Sequence, residues 1–119
     1  MDVNPDIAEG AAEAAELFRR QVAALGSRDL DALIANYTED AVLVRFDRVA
    51  HGRAEVRVLL ADYLARSPRV LEPLGLRVTE DVITYRSRIE LDGVEHDSHG
   101  TFVLRGGLIW RQTTAFVPL

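Results

Sequence analysis

The strand-like stretch Val94 to Arg105 places His96, Ser98, Gly100 and Phe102 on one phase of its alternation. An imidazole has an unperturbed pKa of about 6.5, so an inward His96 is the natural proton carrier of this chain, although a lone inward histidine also serves as a hydrogen-bonded core residue. Arg45 shares the phase of Leu43 in an earlier strand-like stretch, and an inward guanidinium must be paired with an acid, a ligand anion or water. Two readings stand open for it, an anchor for a ligand and a structural ion pair with Asp47 or Asp40.

Around this pair the alternation gathers Tyr85, Ser87, Ser98, Phe102, Trp110, Gln112, Thr114 and Phe116, and helical spacing adds Phe18, Tyr37 and Tyr63. Phe18, Phe102 and Phe116 read first as plain core. Buried Tyr and Trp are different, because each carries a polar atom that needs a partner. So many polar groups among aromatics are costly in a filled core and ordinary in a pocket lining. The sequence therefore predicts that His96 and Arg45 act on one bound molecule. Tyr37, Tyr63, Tyr85, Ser87, Ser98, Phe102, Trp110, Gln112 and Thr114 are expected to contact it, with Tyr85 and Trp110 as its wall.

Composition removes other chemistries. There is no cysteine, and all 14 basic residues are arginine, so thiolate nucleophiles, Cys-type metal sites, Schiff-base lysines and phosphate-loop lysines are excluded. His99 lies three positions beyond His96 on the opposite strand face and His51 falls in a loop, so no metal site is expected. No dinucleotide fingerprint or nucleophile elbow occurs, and no cofactor is expected. The net charge of -5 disfavours nucleic acid. No apolar run reaches the ~18 residues of a membrane span and the N-terminus lacks a secretory pattern, which predicts a cytoplasmic protein without a membrane partner. The Arg-for-Lys bias is that of a GC-rich bacterial genome.

The elements that must position these residues follow from periodicity. The 119 residues suit one domain, with no linker or repeat. Ile7, Ala11, Ala14, Phe18, Val22 and Leu25 predict a first helix, begun by Asn4 and Pro5 and stopped by a left-handed Gly26. Asp29 caps a second, with Leu30, Leu33, Ile34 and Tyr37 on one face. Ala41 to Asp47 reads as a strand closed by the polar stretch to Gly52, and Val56, Leu59, Leu60, Tyr63 and Leu64 give a third helix ended by Ser67-Pro68. Four strands follow, Val70–Val78, Val82–Leu91, Val94–Arg105 and Leu108–Val117, joined at Thr79-Glu80-Asp81, Asp92-Gly93 and Gly106-Gly107. Pro73 predicts an edge position for the first of these.

This order, with Arg28-Asp29-Leu30-Asp31-Ala32-Leu33 leading to Tyr37-Thr38-Glu39-Asp40-Ala41-Val42 and with His51-Gly52-Arg53-Ala54-Glu55-Val56, resembles the nuclear transport factor 2-like superfamily over nearly the whole chain, in its SnoaL-like and ketosteroid isomerase-like branch. The resemblance implies an α+β fold, a curled antiparallel cone of strands with three helices from the N-terminal half packed in its concave face around a pocket. The steroid isomerase machinery is not matched, because its tyrosine falls on Gln21, its base on Arg45, its oxyanion acid on Gly100 and a supporting tyrosine on Leu60. Isomerisation of a 3-oxo-steroid by that route is therefore not expected.

The function classes that remain are a cofactor-independent acid–base enzyme (an isomerase, cyclase, dehydratase or hydrolase) acting on a small hydrophobic molecule of polyketide or steroid type, with or without an anionic group; a non-catalytic binder using the same pocket; and a scaffold working through the outer sheet face. Thr101, Val103, Thr113 and Ala115 fall on that outer face, and related folds pair there, so a homodimer is expected.

Overall fold

The computed structural model describes residues 6–119. The first strand, β1 (Asp6–Ile7), is followed by helices α1 (Ala12–Gly26) and α2 (Leu30–Ile34), strands β2 (Tyr37–Val44) and β3 (Val49–His51), and helix α3 (Gly52–Ala65). Four long strands complete the chain: β4 (Arg69–Val78), β5 (Val82–Leu91), β6 (Val94–Arg105) and β7 (Leu108–Pro118). They form one seven-stranded sheet in the order β1-β4-β5-β6-β7-β2-β3, curled but unclosed, with the helices against its concave side. β2 lies parallel to β7 and β1 parallel to β4, while the other neighbours are antiparallel. This is the expected α+β cone.

Turn chemistry explains the hairpins. Asp92 (φ 52) with Gly93 (φ 79), and Gly106 (φ 59) with Gly107 (φ 78), hold positive φ at both central positions, the mirror-image turn whose twist matches paired strands. Pro73 lies on β4, whose outer edge meets β1 only at Arg77 and Val78, so its missing N–H interrupts no ladder on that side.

Several expectations are corrected. Ile7 belongs to β1 and the first helix begins at Ala12; Asn4 and Pro5 lie outside the described residues. Gly26 is the last helical residue, and the left-handed position is Arg28 (φ 56). There Asp29 N donates to Ala24 O and Arg28 N to Leu25 O, the paired bonds of a Schellman turn. Asp29 caps α2 through Ala32 N, but α2 ends at Ile34, and Tyr37 opens β2 instead of closing the helix. The polar stretch after Asp47 contains β3, which pairs back on β2. On α1 the buried residues are Ala14, Ala15, Leu17, Gln21 and Ala24, while Phe18, Val22 and Leu25, together with Gln21, line a cavity.

One irregularity decides the inner face of β7. Val103 is opposite Arg111 but Leu104 is opposite Ile109, so Trp110 is an extra residue between the two pairs. Ile109 thereby takes the fully buried core position, and Trp110 leaves the phase of Gln112, Thr114 and Phe116.

Candidate functional site

The helices do not fill the hollow of the sheet. A cavity of about 570 Å³ remains between α1, α3 and the inner faces of β2, β4, β5, β6 and β7, within the range of small-ligand sites. Its walls are mostly apolar. All three tyrosines line it, with Phe18, Phe102 and Phe116. The rings support one another. Tyr63 stacks on Phe116 with centroids 5.3 Å apart, and Tyr85 lies tilted between Phe102 at 5.5 Å and Phe18 at 6.1 Å.

The buried polar groups form a chain. Asn36 Nδ2 donates to Gln21 Oε1 at 2.8 Å, Gln21 Nε2 donates to the Tyr37 hydroxyl at 3.2 Å, and that hydroxyl donates to Gln112 Oε1 at 2.5 Å. Gln112 and Thr114 in turn stand beside the Tyr85 hydroxyl. Burial pushes the Tyr37, Tyr63 and Tyr85 hydroxyls above the ordinary tyrosine range, so each keeps its hydrogen at neutral pH. Ser87 and Ser98, paired across β5 and β6, also line the cavity.

Gly100 holds a role that its sequence position alone does not reveal. A Cβ there would come within 2.6 Å of the Tyr85 hydroxyl and 2.5 Å of Thr113 O. The missing side chain is the space that Tyr85 Oη occupies.

Of the residues expected to touch a ligand, Tyr37, Tyr63, Tyr85, Ser87, Ser98, Phe102, Gln112 and Thr114 line this one cavity, and Arg45 joins them. His96 and Trp110 do not. His96 faces inward and is buried, but near the start of β6 between Ile89 and Pro118, where it donates from Nδ1 to Val94 O at 2.8 Å. Parity set its face correctly and could not set its height along the strand. Trp110 was misplaced by the extra residue at the β7 irregularity; its ring packs under the guanidinium groups of Arg111 at 3.9 Å and Arg105 at 5.2 Å. Arg45 is held by Asp47 through two bonds, Nε to Oδ1 at 2.9 Å and a terminal nitrogen to Oδ2 at 2.8 Å, which keeps the Asp47 carboxyl below its usual range. Asp40 instead pairs with Arg105. Arg86, the second cation at the cavity, is paired with Asp97. Gln21 and Asn36 are site groups that strand alternation does not single out, and the sequence signal for the first is an amide at position 21 on the buried face of α1.

Two outcomes are expected from this geometry. Gly100→Ala should lower the unfolding free energy by about 1–3 kcal/mol in a denaturant titration, as overpacking does, because Tyr85 must leave its place. In an alkaline titration followed by tyrosinate absorbance, no tyrosine should ionise near its ordinary pKa of about 10 while the fold persists. Folded-state values raised above unfolded ones contribute stability that is complete below that pH and lost as pH rises through the folded values, so ionisation and unfolding should coincide. A separate titration step in the folded protein would contradict the upward shift that desolvation imposes on all three hydroxyls.

Comparison with known proteins places this architecture. None of the curated proteins matches the chain in sequence. Among solved structures, an NTF2-like protein of unknown function from Mesorhizobium loti superposes with a TM-score of 0.80 at 20% identity, over 98% of each chain. A putative ketosteroid isomerase from Kribbella flavida gives 0.80 at 15% identity, over 92% of this chain and 81% of that one. A putative polyketide cyclase from Sinorhizobium meliloti gives 0.74 at 22% identity, over 84% and 94%. At these identities the likeness is one of fold. The SnoaL-like domain profile matches residues 18–112, from the cavity-facing Phe18 of α1 to Gln112 of β7, and the chain belongs to the SnoaL-like domain family.

Proposed function

We propose that this protein binds a small, flat, largely apolar molecule in the cavity of its cone. The observation that carries this reading is the lining itself: among the described residues it contains tyrosines, amides, hydroxyls and two paired arginines, and no carboxylate or imidazole. Hydroxyls with raised pKa values donate hydrogen bonds and do not act as bases at neutral pH. Such a lining recognises and shelters a ligand more readily than it moves a proton. Arg45 serves an anionic substituent only by exchanging Asp47 for it.

A second reading is favoured by the names of two fold relatives, a putative cyclase and a putative isomerase: the same cavity accelerates a reaction by excluding water and orienting a reactive ligand. His96 has no part in it.

We also infer a homodimer through the outer sheet face, where Thr101, Val103, Thr113 and Ala115 lie with few charges of their own. Sedimentation at roughly tens of micromolar should show twice the chain mass, as a standard-sized interface holds there. A monomer alone would overturn it.

Calorimetric titration with fused two- and three-ring aromatics carrying one oxygen should give micromolar dissociation constants, about -8 kcal/mol. Val22→Trp projects an indole into the cavity from a half-exposed position and should abolish binding without altering the melt. Chromatography of the incubated ligand separates the two readings, since recovery unchanged supports binding and a new product supports catalysis. Absence of binding, or binding indifferent to Val22→Trp, would remove the proposal.

A further inference from the structure

The buried amide chain has a direction, and its outer end sets it. Arg20 is exposed on α1, and its Nε donates to Asn36 Oδ1 at 3.5 Å. That contact is long, but a guanidinium has only hydrogens to offer, so it accepts nothing in return. With Asn36 Oδ1 turned towards Arg20, Asn36 Nδ2 must meet Gln21 Oε1, which turns Gln21 Nε2 towards the Tyr37 hydroxyl. That hydroxyl, already accepting, gives its own hydrogen to Gln112 Oε1. Gln112 is left with its amino group towards the cavity side, beside the hydroxyls of Tyr85 and Thr114. Each member passes on one hydrogen. Whichever of Gln112, Tyr85 and Thr114 ends the chain, it presents N–H or O–H to the ligand.

We propose that the Arg20–Asn36–Gln21–Tyr37–Gln112 chain fixes the inner polar end of the cavity as a hydrogen-bond donor, so that the pocket selects flat apolar molecules bearing an acceptor oxygen, a ketone or quinone carbonyl, over equally shaped molecules bearing a donor. This rests on the ligand-binding reading above and deepens it. Arg20 and Asn36 are positioning residues, since neither lines the cavity. The selectivity is decided by groups that do not touch the ligand. Opposed donors or acceptors buried face to face are left unsatisfied, which is why orientation discriminates so strongly.

Asn36→Asp tests the direction with almost no change of shape. A carboxylate at position 36 accepts from both Arg20 and Gln21, so Gln21 must turn its Nε2 outward, Tyr37 must donate to Gln21, and Gln112 must donate to Tyr37 and show its oxygen to the cavity. Two tricyclic probes of similar shape, fluorenone with a carbonyl and carbazole with an N–H, report the outcome by calorimetric titration. The native protein should prefer fluorenone by about tenfold, and Asn36→Asp should reverse the preference by a similar factor. Arg20→Ala, an exposed change that the fold tolerates, should shrink the native preference, while Arg20→Lys should retain it by keeping a donor. Should Asn36→Asp fail to fold, the two Arg20 variants decide alone. Binding of both probes with a preference unmoved by Arg20→Ala, or reversed in the native protein, overturns the directed chain and leaves the ligand-binding reading intact. Binding of neither probe to the native protein overturns both.

Discussion

The bond from the Tyr37 hydroxyl to Gln112 Oε1, 2.5 Å long and fully buried, joins the start of β2 to the middle of β7 across the inner surface of the sheet. Tyr37 can make it because α2 ends at Ile34 and the chain turns into strand, with Ile109 N bonded to Asn36 O at the junction. Had the helix run on through Tyr37, as its spacing invites, the ring would have packed on a helix face and Gln112 Oε1 would have lost its Tyr37 donor. Leaving such a group without a partner costs more than the bond itself contributes. The parallel pairing of β2 with β7, the placement of Gln21 on α1 and the orientation of Asn36 all converge on satisfying these few atoms.

The cavity exists because the concave face is larger than the helices that cover it. α1 buries Leu17 and its small alanines and leaves Phe18, Val22 and Leu25 lining the hollow. Gly100 yields its side-chain volume to Tyr85 Oη, which lets a ring from β5 reach over β6. Gln21, Tyr37 and Gln112 hold one another's polar ends. The rings, which also pack on one another, turn their remaining surface to the cavity.

Charge is kept to the outside of this arrangement. Arg45 and Arg86 reach the cavity, but each is neutralised by an aspartate, the exposed Asp47 and the partly buried Asp97. Surface pairs of this type contribute little stability. Here they keep two cations from standing unpaired beside an apolar pocket, and the field inside is left to neutral dipoles whose orientation depends on the hydrogen-bond chain.

Alternation along β5 and β6, the two glycine-bearing hairpins, the Asp29 cap and the helical stripe of α3 were legible in the sequence because each depends on residues within a few positions of one another. The SnoaL-like order of elements and most of the pocket lining follow from those local patterns. The tertiary structure decided what depends on pairing between distant strands. Trp110 left the inner face because the β6–β7 register slips by one residue, and a period-two pattern cannot reveal where an extra residue enters. His96 kept its predicted face and lost its predicted place, because parity sets the side of a sheet and not the distance along it. Gln21 and Asn36 joined the site because folding brings α1 to the β2 junction, where an amide that could have bonded to water anywhere on the surface finds its partners only in the assembled core.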